Sequence, residues 1–151
     1  MFGLIALLAA VVQAPAPMPE DFGHGLLALD REISGLLDCY LEAVPECPAG
    51  SDTPIRLWQL DFGWIRASSA LLALEGVRPG DAGPAVAEAL EEYLAACKRY
   101  LAVYGRVRVF YHGAGHPDSA MSVALEDELI SADSAWLESG ARLFGALNEE
   151  E

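Results

Sequence analysis

The sequence predicts an all-α protein, an antiparallel four-helix bundle preceded by an apolar N-terminal segment. Four long segments repeat their apolar residues at the three- and four-residue spacing of an amphipathic helix, and short stretches rich in glycine and proline separate them. Helices joined by short connections pack against each other in opposite directions, as in an antiparallel bundle. Residues 106–112 alternate like a strand, but the chain offers no partner strand, so we predict helix there.

The first 20 residues are expected to lie outside the bundle. Residues 1–12 are apolar and residues 13–20 are rich in proline, which is typical of a signal-like or anchor segment followed by a linker. We therefore divide the chain into residues 1–20 and a single helical-bundle domain over residues 21–151. This pattern favours a secreted or periplasmic protein. A membrane-anchored or a cytoplasmic protein is the alternative, because no lysine or arginine precedes the apolar run.

The first helix is predicted over residues 21–44, with Asp21 as its N-cap. Its apolar residues follow a regular 4-3-4-3-4 spacing: Phe22, Leu26, Leu29, Ile33, Leu36 and Tyr40. Such a seam is typical of a helix packed lengthwise on its neighbours. Pro45 and Pro48 end the helix.

Residues 55–74 are predicted to form the central helix, the one that all others cover. One apolar stripe comprises Leu57, Leu60, Trp64, Ala67, Leu71 and Leu74, and a second comprises Trp58, Phe62, Ile65 and Leu72. A helix that is apolar on nearly all sides is buried on most sides, and its charged residues argue against a membrane span. Asp52 or Thr53 is the expected cap, Pro54 suits the first turn, and Gly76 marks the end.

The third helix is expected to begin at Pro84 and to continue past Gly105 to about His112. Residues 112–117 then form a loop, and the fourth helix covers residues 118–147. His112 and His116 are interpreted as incidental residues of that loop, because a glycine-rich loop gives a histidine pair no fixed metal geometry. The fourth helix also has two stripes, with Ile130, Leu137 and Phe144 beside the main one.

The charge balance excludes some classes of partner. Nine lysines and arginines stand against 23 aspartates and glutamates, giving a net charge of −14. Such a chain repels nucleic acid and anionic lipid, so we expect no nucleic-acid binding, and membrane contact only through residues 1–12 if they are not cleaved. Cys39 and Cys47 are close enough in sequence for a disulfide, whereas Cys97 is expected in the core.

The candidate functional residues are the polar ones that interrupt the apolar stripes. Asp61 interrupts the second helix and Asp133 the fourth, where Glu126 also borders the stripe. If the third helix continues as predicted, Arg108 faces inwards as a counter-charge, and Ser68 lies two turns from the first acid. We predict a buried polar cluster of these five residues. A structural ion pair is the simpler interpretation, and a ligand site is the alternative, because a buried carboxylate needs a partner.

The chain carries no phosphate-binding loop, no nucleophile elbow and no zinc-protease or di-iron motif. We therefore assign no catalytic residue, no metal ligand and no cofactor. The favoured function is a non-enzymatic binding or accessory protein that acts through protein–protein contact, as an assembly subunit, inhibitor or immunity-type protein. The alternative is a bundle that binds a small molecule or cation, or an enzyme, through the core carboxylates.

Overall fold

The computed structural model describes residues 20–44, 54–77, 80 and 82–149. It contains five α-helices and, within these residues, no strand, so the predicted all-α class is confirmed. The helices are α1 (Glu20–Ser34), α2 (Leu36–Ala43), α3 (Leu57–Glu75), α4 (Pro84–His112) and α5 (Ala120–Glu149). The predicted signal-like segment up to residue 19, Cys47, and the proposed caps Asp52 and Thr53 lie outside the described residues.

Helices α1 and α2 together form the first of four rods, where the sequence predicted one unbroken helix. The interruption falls at Gly35, where the hydroxyl of Ser34 donates to the carbonyl of Arg31 at 2.7 Å. Gly35 keeps a right-handed helical backbone, with φ −84° and ψ −10°. Glu20 and Asp21 both lie inside the first turn, so the prediction of Asp21 as N-cap is wrong. The negative charges of the two residues instead stabilise the helix by interacting with the positive end of its dipole.

Helix α3 begins later than predicted. Pro54 precedes the helix rather than occupying its first turn, and the N-cap is Arg56, without a side-chain capping bond. The backbone N–H of Arg56 instead donates to the carbonyl of Ala43 at 2.9 Å, which joins the start of α3 to the end of α2. The predicted end is confirmed, since the helix stops at Glu75 before Gly76.

Helix α4 runs from Pro84 to His112 without a break at Gly105, as predicted. The next helix starts at Ala120 instead of residue 118. The reason is a cap, because the Ser119 hydroxyl accepts a hydrogen bond from the backbone N–H of Ser122 at 3.1 Å. This bond satisfies one of the amide groups that a helix start leaves unpaired.

Neighbouring helices run antiparallel, because residue numbers rise along one helix as those of their contact partners fall along the next. Between α3 and α4, Asp61 pairs with Arg108, and towards the other end Glu75 pairs with Lys98. The same reversal relates the first rod to α3 (Glu32 with Arg66, Glu42 with Gln59) and α4 to α5 (Glu92 with Arg142, Arg106 with Glu128).

Helix α4, not α3, occupies the middle of the core, which corrects the prediction. Eleven residues of α4 are buried, whereas only five residues of α3 are. The first stripe of α3 does face the core, with Leu60, Ala67 and Leu74 almost fully buried. The second stripe faces outwards, because the main neighbours of α3 among the described helices are the first rod and α4, both on its other side. Among the described helices none is long and apolar enough to cross a membrane.

Candidate functional site

A row of tyrosines on α4 satisfies the acids that border the core. The Tyr93 hydroxyl donates to Asp30 Oδ1 at 2.7 Å, and the Tyr100 hydroxyl donates to Asp133 Oδ1 at 2.9 Å. Both tyrosine side chains are fully buried, and loss of hydration raises the pKa of each far above its ordinary value. The tyrosines therefore stay neutral and act as donors, so Asp133 is bound by a hydroxyl rather than by the predicted guanidinium.

Asp61 and Arg108 form the predicted ion pair between α3 and α4. The Nε and Nη2 atoms of Arg108 both lie 2.9 Å from Asp61 Oδ1. The Nε2 atom of His112 lies 2.8 Å from the same oxygen. The side chains of Asp61 and Arg108 are 30% and 21% exposed, so the pair sits at the edge of the core rather than inside it.

Trp64 completes this polar cluster. The indole lies beneath the Arg108 guanidinium, whose Cζ is 4.3 Å from the ring centroid, a distance typical of a cation–π contact. Its Nε1 atom also approaches α4 closely, because a Cβ added to Gly105 would lie only 3.4 Å away. The two helices thus meet where one arginine is held by a carboxylate on one side and an aromatic ring on the other.

The electrostatics of Asp61 oppose acid catalysis. Partial burial on its own raises the pKa of the carboxyl, but the hydrogen bonds from His112 and Arg108 and the charge of Arg108 outweigh it. The net result is a pKa below the ordinary value of an aspartate. A carboxyl that serves as a general acid needs a raised pKa, which Asp61 does not have. The group stays ionised at neutral pH, and its charge is compensated by neighbours.

The structure brings together only part of the predicted five-residue cluster. Ser68 lines a groove between α3 and α4, with Trp64, Leu71 and Lys98. Glu126 is half-buried on α5 and lies near Tyr40 of α2. Among the described residues, no hydrogen bond or ion pair links Ser68, Glu126 or Asp133 to the Asp61–Arg108 pair.

Sequence reasoning missed His112, which it placed in a loop. The available signal was its position four residues after Arg108, which puts both side chains on one face of α4. An open depression at the end of α4 is lined by Asp61, Arg108, Val109, His112 and Gly113.

The core around Cys39 contains a buried hydroxyl that lacks a partner. Tyr104 is fully buried, and within the described residues its Oη atom makes no hydrogen bond. A Cβ added to Gly63 would lie 3.1 Å from Cys39 Sγ and 3.2 Å from this oxygen, so the space here is closely filled. Cys97 is buried as predicted, and loss of hydration raises the pKa of its thiol to about 12, which leaves it unreactive.

The outer surface of α3 presents the largest exposed apolar side chains of this helix, a surface termed here the α3 face: Trp58, Phe62, Ile65, Ser69 and Leu72. Its four apolar members are 65%, 53%, 55% and 69% exposed in that order. The five positions follow a 4-3-4-3 spacing, which is the seam that one helix offers to another in a coiled coil. Arg66 borders the face, lies 5.2 Å from the Phe62 ring centroid and pairs with Glu32 of α1.

A second exposed stripe runs along α5 at seven-residue intervals, through Val123, Ile130 and Leu137. It lacks aromatic residues, and its helix carries six acids against one arginine. The predicted second stripe of the fourth helix is thus exposed at Ile130 and Leu137, whereas its third member, Phe144, is partly buried and packs edge-on against Tyr93.

The described residues contain no group of three or more histidine, cysteine, aspartate or glutamate side chains placed to hold a metal ion. The side chains that are grouped are an ionised carboxylate, an arginine and a histidine, which supply charge and hydrogen bonds to one another. Comparison of the chain with family models, with curated proteins and with solved structures found no match.

Proposed function

We propose that the protein is a non-enzymatic binding or accessory protein that acts through protein–protein contact, and that the α3 face is its docking surface. The observation that carries this proposal is the exposure of Trp58, Phe62, Ile65 and Leu72 side by side on one helix. Folded monomers seldom leave a contiguous apolar patch of more than a few hundred Å² in water, and such patches mark binding surfaces. Aromatic residues are also enriched at the centres of protein interfaces.

The charge around the α3 face supports a protein partner. Helix α3 carries two acids and one arginine, whereas the first rod and α5 each carry six acids and one arginine. The face is therefore nearly neutral on a strongly acidic molecule, so a partner can dock there with little repulsion. The cation-binding alternative has less support, because Arg108 already compensates the charge of Asp61 and His112 occupies the same carboxylate oxygen.

Site-specific cross-linking in the producing cell tests this proposal. A photo-reactive amino acid placed at Phe62 is expected to give a covalent adduct with another polypeptide, which mass spectrometry then identifies. The matched control carries the same group at Ile130, a half-exposed position on α5. An adduct at position 62 but not at position 130 supports the docking surface. Equal or absent cross-linking at both positions contradicts it.

We also propose that the protein is exported, to the periplasm or the medium. The apolar residues 1–12, followed by the proline-rich spacer, support this part of the proposal. Residues 1–20 fused to a reporter that is active only outside the cytoplasm are expected to give signal. The control fusion carries Leu7→Arg, which interrupts the apolar run and is expected to silence the reporter. A reporter that stays silent with the native segment would show that the segment does not direct export.

A further inference from the structure

We propose that the partner on the α3 face is a second copy of this chain, and that the two copies pack α3 against α3 about a two-fold axis. This inference rests on the proposed docking function and names its partner. Three properties of the α3 face carry it: the spacing of the seam, the distribution of charge, and the area that two copies would bury.

The spacing is that of a helix whose partner is another helix. Trp58, Phe62, Ile65, Ser69 and Leu72 occupy successive core positions of a heptad repeat, and a second α3 offers the same seam. The seam is also self-complementary in size, because its bulky aromatic residues lie at one end and the small Ser69 at the other. In an antiparallel pair centred on Ile65, Phe62 of one copy therefore lies opposite Ser69 of the other, a large residue against a small one.

The charge distribution selects this face among the surfaces of the molecule. Two copies of a chain with net charge −14 repel each other, so self-association is tolerated only where the charge is low. Helices α3 and α4 carry five acids and five basic residues between them, while the first rod and α5 carry twelve acids and two arginines. The α5 stripe around Ile130 would place acids against acids, whereas the α3 face would not.

The area is sufficient for a small symmetric interface. Large aromatic side chains offer about 150–250 Å² each when fully buried, so the four half-exposed side chains offer on the order of 400 Å² per copy. Two copies would bury roughly 800 Å² from the seam alone. Exposed neighbours at the rim, among them Arg66 and Ala73, bring the total to the roughly 1,000 Å² that specific interfaces need.

Ile65 gives the sharpest test, because it is the middle member of the seam and lies near the two-fold axis. A charged side chain at position 65 would therefore lie next to the identical charged side chain of the second copy. The full chain is expected to sediment as a dimer at micromolar concentration, whereas Ile65→Lys and Ile65→Glu are each expected to sediment as monomers. An equimolar mixture of these two variants is expected to form mixed dimers, visible by native mass spectrometry. Ile130→Lys is the matched control, and we expect it to remain dimeric.

Several outcomes would overturn the inference. A wild-type chain that stays monomeric at hundreds of micromolar excludes the second copy, while a cross-linked foreign partner at Phe62 would leave the docking function intact. A dimer that survives both Ile65 variants, or one that only Ile130→Lys disrupts, places the contact on another face. Monomeric variants that fail to pair when mixed also contradict a symmetric α3 contact. Circular dichroism and urea unfolding establish that each variant is folded.

Discussion

Arg108 on α4 lies above the indole ring of Trp64 on α3, with its Cζ atom 4.3 Å from the ring centroid. The same guanidinium binds Asp61, which precedes Trp64 by one turn on α3. Two side chains of one helix therefore hold one side chain of the other, and this arrangement fixes the register of α3 against α4. The contact lies beside the apolar face that we propose as the docking surface.

Removing either partner of the Asp61–Arg108 pair is expected to destabilise the fold. Asp61→Asn and Arg108→Met should each lower the free energy of unfolding by about 1–3 kcal/mol, because the pair is only partly exposed and its carboxylate accepts several hydrogen bonds. The double variant should lose less than the sum of the two, as expected for residues in contact. Urea unfolding measures all three, and Arg108→Lys is the control that keeps the charge but alters the stacking and the paired hydrogen bonds. Additive losses would show that the two residues do not interact.

The contribution of Asp61 to stability is expected to depend on pH. Its pKa is lower in the folded protein than in the unfolded chain, where an aspartate titrates near about 3.9. The stabilisation is therefore complete above that value and is lost as the pH falls through the lower folded pKa. The difference in unfolding free energy between the wild type and Asp61→Asn should be largest at neutral pH and should shrink below about pH 4. A difference that stays constant between pH 7 and pH 3 would contradict the lowered pKa.

The helices could be predicted from the sequence because the apolar spacing and the breakers are local signals. The extension of α4 to His112 followed from the absence of a partner strand, and the structure confirms it. The central helix could not be identified in this way. Periodicity shows that α3 has two apolar stripes, but it does not show how many neighbours the helix has. Only the packing shows that Trp58 and Leu72 face outwards.

The ion pair of the candidate site could also be predicted, because the continuation of α4 places Arg108 on the inner side, where it meets Asp61. The partner of Asp133 was predicted wrongly for a physical reason. A tyrosine counts as apolar in a helical stripe, yet its hydroxyl can satisfy a carboxylate at the edge of the core. Tyr100 fills both roles, so a charged partner was sought for Asp133 where none was needed.

Two buried tyrosines of α4 should respond differently to loss of the hydroxyl. Tyr100→Phe removes the donor to Asp133 and should lower the free energy of unfolding by about 1–2 kcal/mol. Tyr104→Phe removes a buried hydroxyl that has no hydrogen-bond partner among the described residues, so it should leave stability unchanged or raise it by about 1 kcal/mol. The two variants delete the same atom from equally buried side chains and serve as each other's control. Equal losses in urea unfolding would show that Tyr104 also has a partner.

Gly63 marks a close approach between the first rod and α3, and a methyl group there should be costly. A Cβ at this position would lie 3.1 Å from Cys39 Sγ, 3.2 Å from Cys39 Cβ and 3.2 Å from Tyr104 Oη. Alanine favours a helix over glycine by about 0.5–1 kcal/mol, but overpacking costs about 1–3 kcal/mol, so Gly63→Ala should be net destabilising. Gly145→Ala in α5 is the matched control, because a Cβ there meets nothing within 4 Å and should stabilise by about 0.5–1 kcal/mol. Thermal or urea unfolding compares the two. If Gly63→Ala stabilised the protein as much as Gly145→Ala, the two helices would be further apart than the structure places them.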